Sequence, residues 1–375
     1  MIAAAHALQR PRDARVLVIE ARGAIRHAPR AEWIEQLRAG DLVVANDAAT
    51  LPASLHGTHL ASGAPIEVRL AARATLAAED LSFSAVVFGA GDWRTRTEER
   101  ALPPPLARGD RLALGPLAAT VYGELGHPRL VALCFEDDPG VVWAGIARHG
   151  RPIQYAYMSE ALALWDVWTP IAALPVAFEA PSAGFALDWR ALAGLRSRGV
   201  GFGSITLAAG ISSTGDAALD ARLPLAEPYC VPAATATAIR AAKARGGRII
   251  AIGTTVVRAL EHSGGRAGSG VADQRVAVGT ELCVVDAILT GTHEPHESHY
   301  QLLRAFADEA PLAAASQALE TAGYRTHEFG DSMLVFKTAR AALSNCAQPE
   351  RHKAWTQALT GFLRGAASSS CSASA

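Results

Sequence analysis

The segment Gly247 to Glu261, GRIIAIGTTVVRALE, is typical of a strand that turns directly into a helix. Its first part, Arg248 to Ile252, is a short apolar run rich in β-branched residues, which predicts a buried strand. Gly253-Thr254-Thr255 then predicts a turn into a helix that begins near Val256. A junction of this kind directs free backbone N–H groups at one point, where an anion or a polar ligand can bind.

Arg258 lies in the first predicted turn of this helix, where its guanidinium would offer two parallel donors to an anion. The same pattern fits an ordinary strand-turn-helix unit without a ligand equally well. The segment therefore predicts an α/β fold, and it marks Gly253, Thr254, Thr255 and Arg258 as candidate ligand-binding residues.

The whole chain is long enough for two or three domains with a large core. It has 375 residues, half of them hydrophobic, and a net charge of −1 from 35 Lys and Arg against 36 Asp and Glu. This balance creates no global basic field for nucleic acid, although a local basic face stays possible. The five cysteines are scattered without C-x-x-C spacing, which argues against a zinc cluster and fits a cytoplasmic protein. We expect no membrane span, because the uncharged run Gly199 to Gly215 is too rich in Gly, Ser and Thr.

A second predicted strand, Asp41 to Ala45, ends at the polar pair Asn46-Asp47. Open α/β folds bind ligands at the carboxyl ends of their strands, so Asn46 is a candidate binding residue. The pair also fits an Asx turn, which composition alone favours.

The pattern changes between about Leu60 and Phe135. Short, often alternating apolar runs are separated there by Gly, Pro and Asp, without a helical period. This predicts an inserted all-β module, a small barrel, before the α/β pattern returns after Gly150. We therefore predict an α/β main domain from residues 1–59 and 151–364, an inserted β-barrel domain over 60–150 and a disordered tail over 365–375.

The second part of the main domain contains a small-residue loop and several aromatic residues. The loop Glu179-Ala180-Pro181-Ser182-Ala183-Gly184 would let the backbone approach a ligand closely. Trp165, Trp168 and Phe178 are interpreted as core residues, with a position lining a cleft as the alternative. Asp286 lies inside the predicted strand Leu282 to Leu289, where a structural hydrogen bond and a catalytic role are both compatible with the pattern. Gly264 to Gly270 is predicted to be a flexible loop.

The segment Thr290 to Ser298, TGTHEPHES, places His293, His296 and Glu297 around a proline. Imidazole and carboxylate groups this close fit an acid–base pair or a metal site. They fit equally well a loop that leads into a helix. Because no cysteine or further histidine has the spacing that completes a zinc site, we predict no metal.

Taken together, these segments resemble the S-adenosylmethionine:tRNA ribosyltransferase-isomerases, the enzymes of queuosine synthesis. The resemblance runs from about Ala14 to Phe336. It is strongest in AAKARGGRIIAIGTTVVRALE (Ala241 to Glu261), VVDAILTGTHEP (Val284 to Pro295) and FGDSM (Phe329 to Met333). It is partial in GDLVVANDAATLPASLHG (Gly40 to Gly57) and APSAGF (Ala180 to Phe185).

The resemblance implies an α/β barrel-like main domain with a β-barrel inserted near its N-terminus. It also implies transfer of the ribosyl unit of S-adenosylmethionine to the 7-aminomethyl-7-deazaguanine wobble base of tRNA, with release of adenine and methionine. S-adenosylmethionine would be a consumed substrate and no metal would be needed. We expect a cytoplasmic monomer whose partners are S-adenosylmethionine and the tRNA anticodon stem-loop.

The chain departs from the family pattern in its histidines, because Ala186, Ala208, Arg222 and Leu225 stand where that pattern has imidazoles. By resemblance, the remaining candidate catalytic residues are Glu227, His293 and Asp331, and the candidate substrate-binding residues are Asn46, Pro181, Ser182, Ala183, Gly184, Gly210, Gly253, Thr254, Thr255 and Arg258. Two alternatives stay open at this point: a non-catalytic member that binds S-adenosylmethionine, a nucleotide or RNA, and a transferase for another acceptor.

Overall fold

The computed structural model describes residues 1–295 and 297–338. The strands of this part of the chain are β1 (Ile2–Ala3), β2 (Arg15–Ile19), β3 (Ile25–Pro29), β4 (Leu42–Asn46), β5 (Ala49–Thr50), β6 (Ser54–His59), β7 (Ala64–Ala72), β8 (Ser82–Phe88), β9 (Arg111–Leu114), β10 (Leu117–His127), β11 (Leu130–Phe135), β12 (Pro175–Ala177), β13 (Gly201–Leu207), β14 (Glu227–Val231), β15 (Ile249–Ile252), β16 (Gly268–Ala272), β17 (Ala287–Gly291), β18 (Arg325–Thr326) and β19 (Ser332–Phe336).

The α-helices are α1 (Pro139–His149), α2 (Leu164–Val167), α3 (Trp189–Ser197), α4 (Ala217–Asp220), α5 (Ala233–Ala244), α6 (Thr254–Ser263), α7 (Ser298–Leu303) and α8 (Glu309–Thr321). Short 3-10 helices span Arg30–Gln36, Thr97–Glu99 and Ser182–Ala186. The predicted tail over 365–375, the end of the predicted main domain and His296 lie outside the described residues.

The main domain is built around a mixed sheet of nine strands, in the order β16-β14-β13-β4-β15-β17-β19-β2-β3. One of its interior strands, β4, is buried along its whole length and pairs in parallel with both β13 and β15. Burial on two faces explains why β4 and β15 read as continuous apolar runs rather than alternating ones. Within the described residues the sheet is open, with β16 and β3 as its edge strands.

Strand direction brings several chain segments to one edge of this sheet. Strand β17 is parallel to β15, so β4, β13, β15 and β17 all end at the same side. Strands β14 and β19 are antiparallel to β13 and β17 and therefore begin there. We call this side the site edge.

The inserted module is a closed antiparallel barrel of six strands, in the order β10-β11-β8-β7-β6-β9. No α-helix interrupts residues 81–135, all of which the structure describes, and the 3-10 helix Thr97–Glu99 is a single turn. The α/β class with an inserted β-barrel is thus confirmed. The first barrel strand, β6, begins before the predicted boundary at residue 60, and the division into domains at 60 and 150 stays a prediction.

Two local predictions are wrong. Trp165 and Trp168 are 75% and 42% exposed and do not pack in the core, whereas Phe178, predicted with them, is buried. Part of the predicted flexible loop Gly264 to Gly270 forms the edge strand β16, which pairs with β14.

Asp286 lies just before β17 rather than inside a strand. Its carboxylate accepts a hydrogen bond from the Ile249 N–H at 2.8 Å, and its carbonyl accepts one from the Lys337 N–H at 2.8 Å. These contacts are the structural hydrogen bonds that the sequence left as one alternative. Among the helices described, none combines the length and the apolar character needed to cross a bilayer.

Candidate active site

The site edge collects the sequence-predicted residues from six separate strand ends. Asn46 ends β4, Gly210 follows β13, Gly253 follows β15 and His293 follows β17, whereas Glu227 begins β14. Asp331 directly precedes β19. Strand polarity alone therefore brings together residues that are up to 285 positions apart in the sequence (331 − 46).

The turn into α6 meets the small-residue loop. Gly253 has φ 94° and ψ 155°, a conformation that is essentially restricted to glycine. A Cβ placed on Gly253 would lie 3.6 Å from the Cβ of Ala183, which belongs to the 3-10 helix Ser182–Ala186. The loop Pro181 to Gly184 thus lies close to the backbone at the start of α6. The helix begins at Thr254, two residues earlier than predicted, so the N–H groups of its first turn point out at this junction.

Asn46 ties the ends of two parallel strands together. Its Nδ2 donates to the Leu207 carbonyl at 2.9 Å, and its Oδ1 accepts from the Leu207 N–H at 3.0 Å. The same oxygen accepts from the Ala48 N–H at 3.1 Å, which is the Asx turn that the sequence offered as an alternative. Asn46 is 2% exposed, so it sits beneath the site rather than on its surface.

Glu227 is a buried carboxylate with two strong partners. Its Oε1 accepts from the Gly210 N–H at 2.9 Å, and its Oε2 forms an ion pair with Arg258. Burial raises the pKa of Glu227, although the charge of Arg258 and the Gly210 hydrogen bond oppose that shift. The carboxylate therefore fixes the loop after β13.

Arg258 lies in the second turn of α6, because the helix starts earlier than predicted. Besides Glu227, its guanidinium donates to the carbonyls of Ala272 at 2.8 Å, Gln274 at 3.2 Å and Leu225 at 3.3 Å. Arg258 is 3% exposed. Its donors thus hold protein groups, and its effect on a ligand would pass through Glu227.

His293 is oriented by groups on both ring nitrogens. Nδ1 lies 3.3 Å from Glu297 Oε2, and Nε2 lies 2.8 Å from Thr290 Oγ1. The carboxylate accepts only, so the pattern assigns the proton to Nδ1 and leaves Nε2 as an acceptor. Although burial opposes it, the hydrogen bond from His293 lowers the pKa of Glu297.

Asp331 has a different environment from Glu227 and His293. Its carboxylate accepts from the backbone N–H groups of Arg15 at 2.8 Å and Arg325 at 2.9 Å, and it forms an ion pair with the Arg15 guanidinium at 3.3 Å. It is 1% exposed. The neighbouring Ser332 pairs with Gly291, so Asp331 holds the turn behind the His293 segment.

Two candidate functional residues were not predicted from the sequence. The His299 ring centroid lies 4.9 Å from that of His293. Burial, followed by the charge of His293, lowers the pKa of His299 to about 3, so this imidazole is neutral. The available sequence signal was its place three residues after His296 in a histidine-containing segment.

Glu179 is the second such residue: it begins the predicted small-residue loop, but no role was predicted for its carboxylate. Its Oε2 accepts from the Ser212 N–H at 3.0 Å, and its Oε1 accepts from the Tyr155 hydroxyl. Burial raises the pKa of Glu179 to about 7. Glu179 and Ala180 line a small cavity of about 20 Å³, roughly the space of one water molecule.

The β-barrel closes one side of the site edge. A Cβ on Gly210 would lie 2.9 Å from the Ala71 carbonyl oxygen of β7, and the Ile211 N–H donates to that oxygen at 3.3 Å. The loop after β13 is thus held between Glu227, Glu179 and the barrel. Among the described residues, no group of three or more His, Cys, Asp and Glu side chains has a metal-binding arrangement.

Comparison with known protein families identifies the family of this chain. The family model described as queuosine biosynthesis protein matches residues 1–335. The chain belongs to the queuosine biosynthesis protein family.

An S-adenosylmethionine:tRNA ribosyltransferase-isomerase from Sorangium cellulosum is 33% identical over 333 residues, covering 84% of this chain and 88% of that one. The enzyme of the same name from Methylobacterium radiotolerans is 32% identical over 350 residues, covering 88% and 93%. The crystal structure of an S-adenosylmethionine tRNA ribosyltransferase from Thermotoga maritima is 25% identical with a TM-score of 0.47, covering 89% of this chain and 96% of that one.

This member of the queuosine biosynthesis protein family makes other contacts at the positions where the resemblance led us to expect imidazoles. Arg222 Nη1 donates to the Leu125 carbonyl of the barrel at 2.7 Å, and the Leu225 carbonyl accepts from Arg258. Ala208 is 1% exposed, and its N–H donates to the Pro228 carbonyl at 3.0 Å. The backbone of this loop is thus well anchored, and the titratable side chains at the site edge are carboxyl groups and the His293–His299 pair.

Proposed function

We propose that this chain is an S-adenosylmethionine:tRNA ribosyltransferase-isomerase. It transfers the ribosyl unit of S-adenosylmethionine to the 7-aminomethyl-7-deazaguanine wobble base of tRNA, forms epoxyqueuosine and releases adenine and methionine. The observation that carries this proposal is the family match over residues 1–335, supported by relatives that bear this activity in their names.

In this proposal S-adenosylmethionine is a consumed substrate that lies across the site edge. Its methionine carboxylate binds the first turn of α6, where Thr254 and Thr255 present N–H groups and the positive end of the helix dipole. Gly253, whose own N–H donates to the Leu289 carbonyl at 2.8 Å, lets the backbone turn sharply beside that carboxylate. Pro181, Ser182, Ala183 and Gly184 form the facing wall, because Ala183 already lies against the Gly253 backbone. Asn46 and Gly210 support this surface from below and from the barrel side.

We assign proton transfer to His293, with Glu227 as the alternative base. His293 Nε2, which accepts from the Thr290 hydroxyl in this structure, takes the proton next to the sulfonium in place of that hydrogen bond. Glu297 stabilises the imidazolium that forms. Adenine then departs with the electrons released, the aminomethyl nitrogen attacks the sugar, and methionine leaves as the epoxide closes. By resemblance to the family, none of these steps requires a metal.

Glu227, Arg258 and Asp331 contribute in this scheme by positioning. Glu227, neutralised by Arg258, holds the Gly210 loop, and Asp331 holds the turn that supports the His293 segment. The proposal places the protein in the cytoplasm as a monomer, with the anticodon stem-loop of the tRNA as its macromolecular partner.

The test is adenine release from S-adenosylmethionine in the presence and absence of tRNA that carries the precursor base. Release that requires this tRNA supports the proposal. Release without it indicates a transferase for another acceptor, and binding without release indicates a non-catalytic member. Calorimetry with S-adenosylmethionine alone gives an early check, because the absence of heat at millimolar ligand would remove both transferase interpretations.

A further inference from the structure

We propose that Trp165 and Trp168 form a stacking platform for unpaired bases of the tRNA anticodon loop. This proposal rests on the proposed function, since it says where on the surface the acceptor tRNA binds. The two side chains, which we call the indole platform, are 75% and 42% exposed. Exposure of two indoles three residues apart needs an explanation, because burying such rings is strongly favourable.

Hydrogen bonds hold the backbone of the indole platform and the ring of Trp168. Gln9 Nε2 contacts the carbonyls of Trp165 at 3.2 Å, Asp166 at 2.8 Å and Trp168 at 2.9 Å. The Trp168 indole N–H donates to the Thr50 carbonyl at 2.8 Å. A pre-ordered aromatic surface loses little conformational entropy when a partner binds.

The platform also borders the candidate active site. The segment that follows Asn46 is joined to the tryptophan segment by three hydrogen bonds: Ala173 N–H to the Asp47 carbonyl at 2.7 Å, Ala49 N–H to the Leu174 carbonyl at 2.8 Å and Thr50 Oγ1 to the Val167 carbonyl at 3.0 Å. On the other side, a Cβ on Gly184 would lie 2.9 Å from Thr169 Cγ2. A loop stacked on the indoles would therefore lie next to both binding segments.

An exposed arginine lies beside the platform and can contact the phosphates of a loop that stacks there. It is Arg10, whose Nη1 contacts Gln9 Oε1 at 3.0 Å. The acid between the two tryptophans, Asp166, turns its Oδ2 to the Ala163 N–H at 2.8 Å. Aromatic faces flanked by arginines are a common means of binding unpaired bases and their phosphates, and an anticodon loop offers both.

The experiment compares the double variant Trp165→Ala/Trp168→Ala with Phe202→Ala. Phe202 is 39% exposed but lies near the start of β13, at the opposite edge of the sheet, and it serves as the matched control. After unchanged melting is confirmed, adenine release is measured at varied tRNA and varied S-adenosylmethionine. We expect the KM for tRNA to rise at least tenfold in the double variant, with kcat and the KM for S-adenosylmethionine within twofold of the parent. The variant Trp165→Phe/Trp168→Phe, which keeps two stacking faces, should recover most of the loss.

Direct binding separates this inference from the proposed function. If the parent releases no adenine, fluorescence anisotropy with a labelled anticodon stem-loop RNA still tests the platform. Arg10→Gln should reduce the slope of log affinity against log salt by about 0.7, the value for one phosphate contact in a single strand. Equal RNA affinity in the parent and the double variant would overturn the inference. It would also be overturned if the parent were a dimer that the double variant turned into a monomer, since the platform would then be covered by a second copy.

Discussion

Glu227 at the start of β14 and Arg258 in α6 form a buried ion pair, with the side chains of both residues 4% exposed. The pair joins the strand and the helix that flank the site edge. Through the Glu227 Oε1 contact with the Gly210 N–H it also fixes the loop that touches the barrel. The Glu227–Arg258 pair therefore couples the stability of the site to the stability of the sheet.

Replacing Arg258 with methionine should be strongly destabilising. Glu227 would stay buried without its cation, which costs about 3–5 kcal/mol of unfolding free energy. The double variant Glu227→Gln/Arg258→Met should lose less, because no uncompensated charge remains. Urea unfolding at pH 7 measures both, and acidification to pH 5 should recover part of the loss in the single variant, since Glu227 can then take up a proton. A loss below 1 kcal/mol in Arg258→Met would contradict this account.

Replacing Gly253 with alanine should weaken S-adenosylmethionine binding. The φ of 94° strains any residue with a Cβ by about 1–3 kcal/mol, and relaxing that strain moves the backbone that faces Ala183. Gly246→Ala is the control: its φ of 70° is also positive, but nothing lies within 4 Å of its added Cβ and it precedes β15 at the opposite edge. Calorimetric titration with S-adenosylmethionine should show at least a fivefold weaker Kd for Gly253→Ala alone. Equal Kd values for S-adenosylmethionine in the two variants would show that the Gly253 turn does not contribute to binding.

The strand-turn-helix unit around Gly253 and the barrel strands were predictable because local sequence patterns specify them. Gly253 and the apolar run before it specify a strand, a turn and a helix within fifteen residues, and alternation between Leu60 and Phe135 is a property of each short barrel strand. The exposure of Trp165 and Trp168 was missed for the opposite reason. An apolar side chain does not show from its own sequence neighbours which surface it faces, and here Gln9 and Thr50, both far away in the chain, fix that orientation.

Glu179 should make stability depend on pH. Its pKa is about 7 in the folded protein against 4.5 in an unfolded chain, so between these values only the unfolded state has lost the proton. The resulting loss of unfolding free energy in the parent is absent below pH 4.5, grows by about 1.4 kcal/mol per pH unit and is complete above pH 7. Glu179→Gln does not titrate, so its unfolding free energy relative to the parent should rise across this window. Urea unfolding from pH 4.5 to 8 is the measurement, and parallel curves for the two proteins would exclude a buried, protonated Glu179.

His293→Ala and Glu227→Gln should separate the proposed base from the proposed positioning residue. Loss of a general base typically costs about 10²–10⁴-fold in rate, which we expect in kcat for His293→Ala. Glu227→Gln keeps an acceptor for Gly210 and should mainly raise the KM for S-adenosylmethionine. Adenine release at saturating substrates, with melting unchanged, distinguishes them. Activity within threefold of the parent in both variants would show that neither residue takes part in the chemistry.

The residues of the site were predictable, but their contacts were not. The resemblance to a family indicated Asn46, Glu227, Arg258 and Asp331, yet each has its polar atoms engaged by distant groups that no local pattern reveals. His299 was missed because its neighbours His293 and His296 in the sequence do not show that its ring packs against His293. Burial and pairing, which decide charge states, depend on the tertiary structure.

The central claim is that the sugar of S-adenosylmethionine, and not its methyl group, reaches the tRNA. The most direct measurement uses S-adenosylmethionine with one isotope in the ribosyl carbons and another in the methyl group, incubated with tRNA that carries the 7-aminomethyl-7-deazaguanine base. For ribosyl transfer we predict ribosyl label in the tRNA, methyl label in free methionine and one adenine released per modified base. Methyl label in the tRNA, or adenine release without ribosyl label in the tRNA, would contradict it.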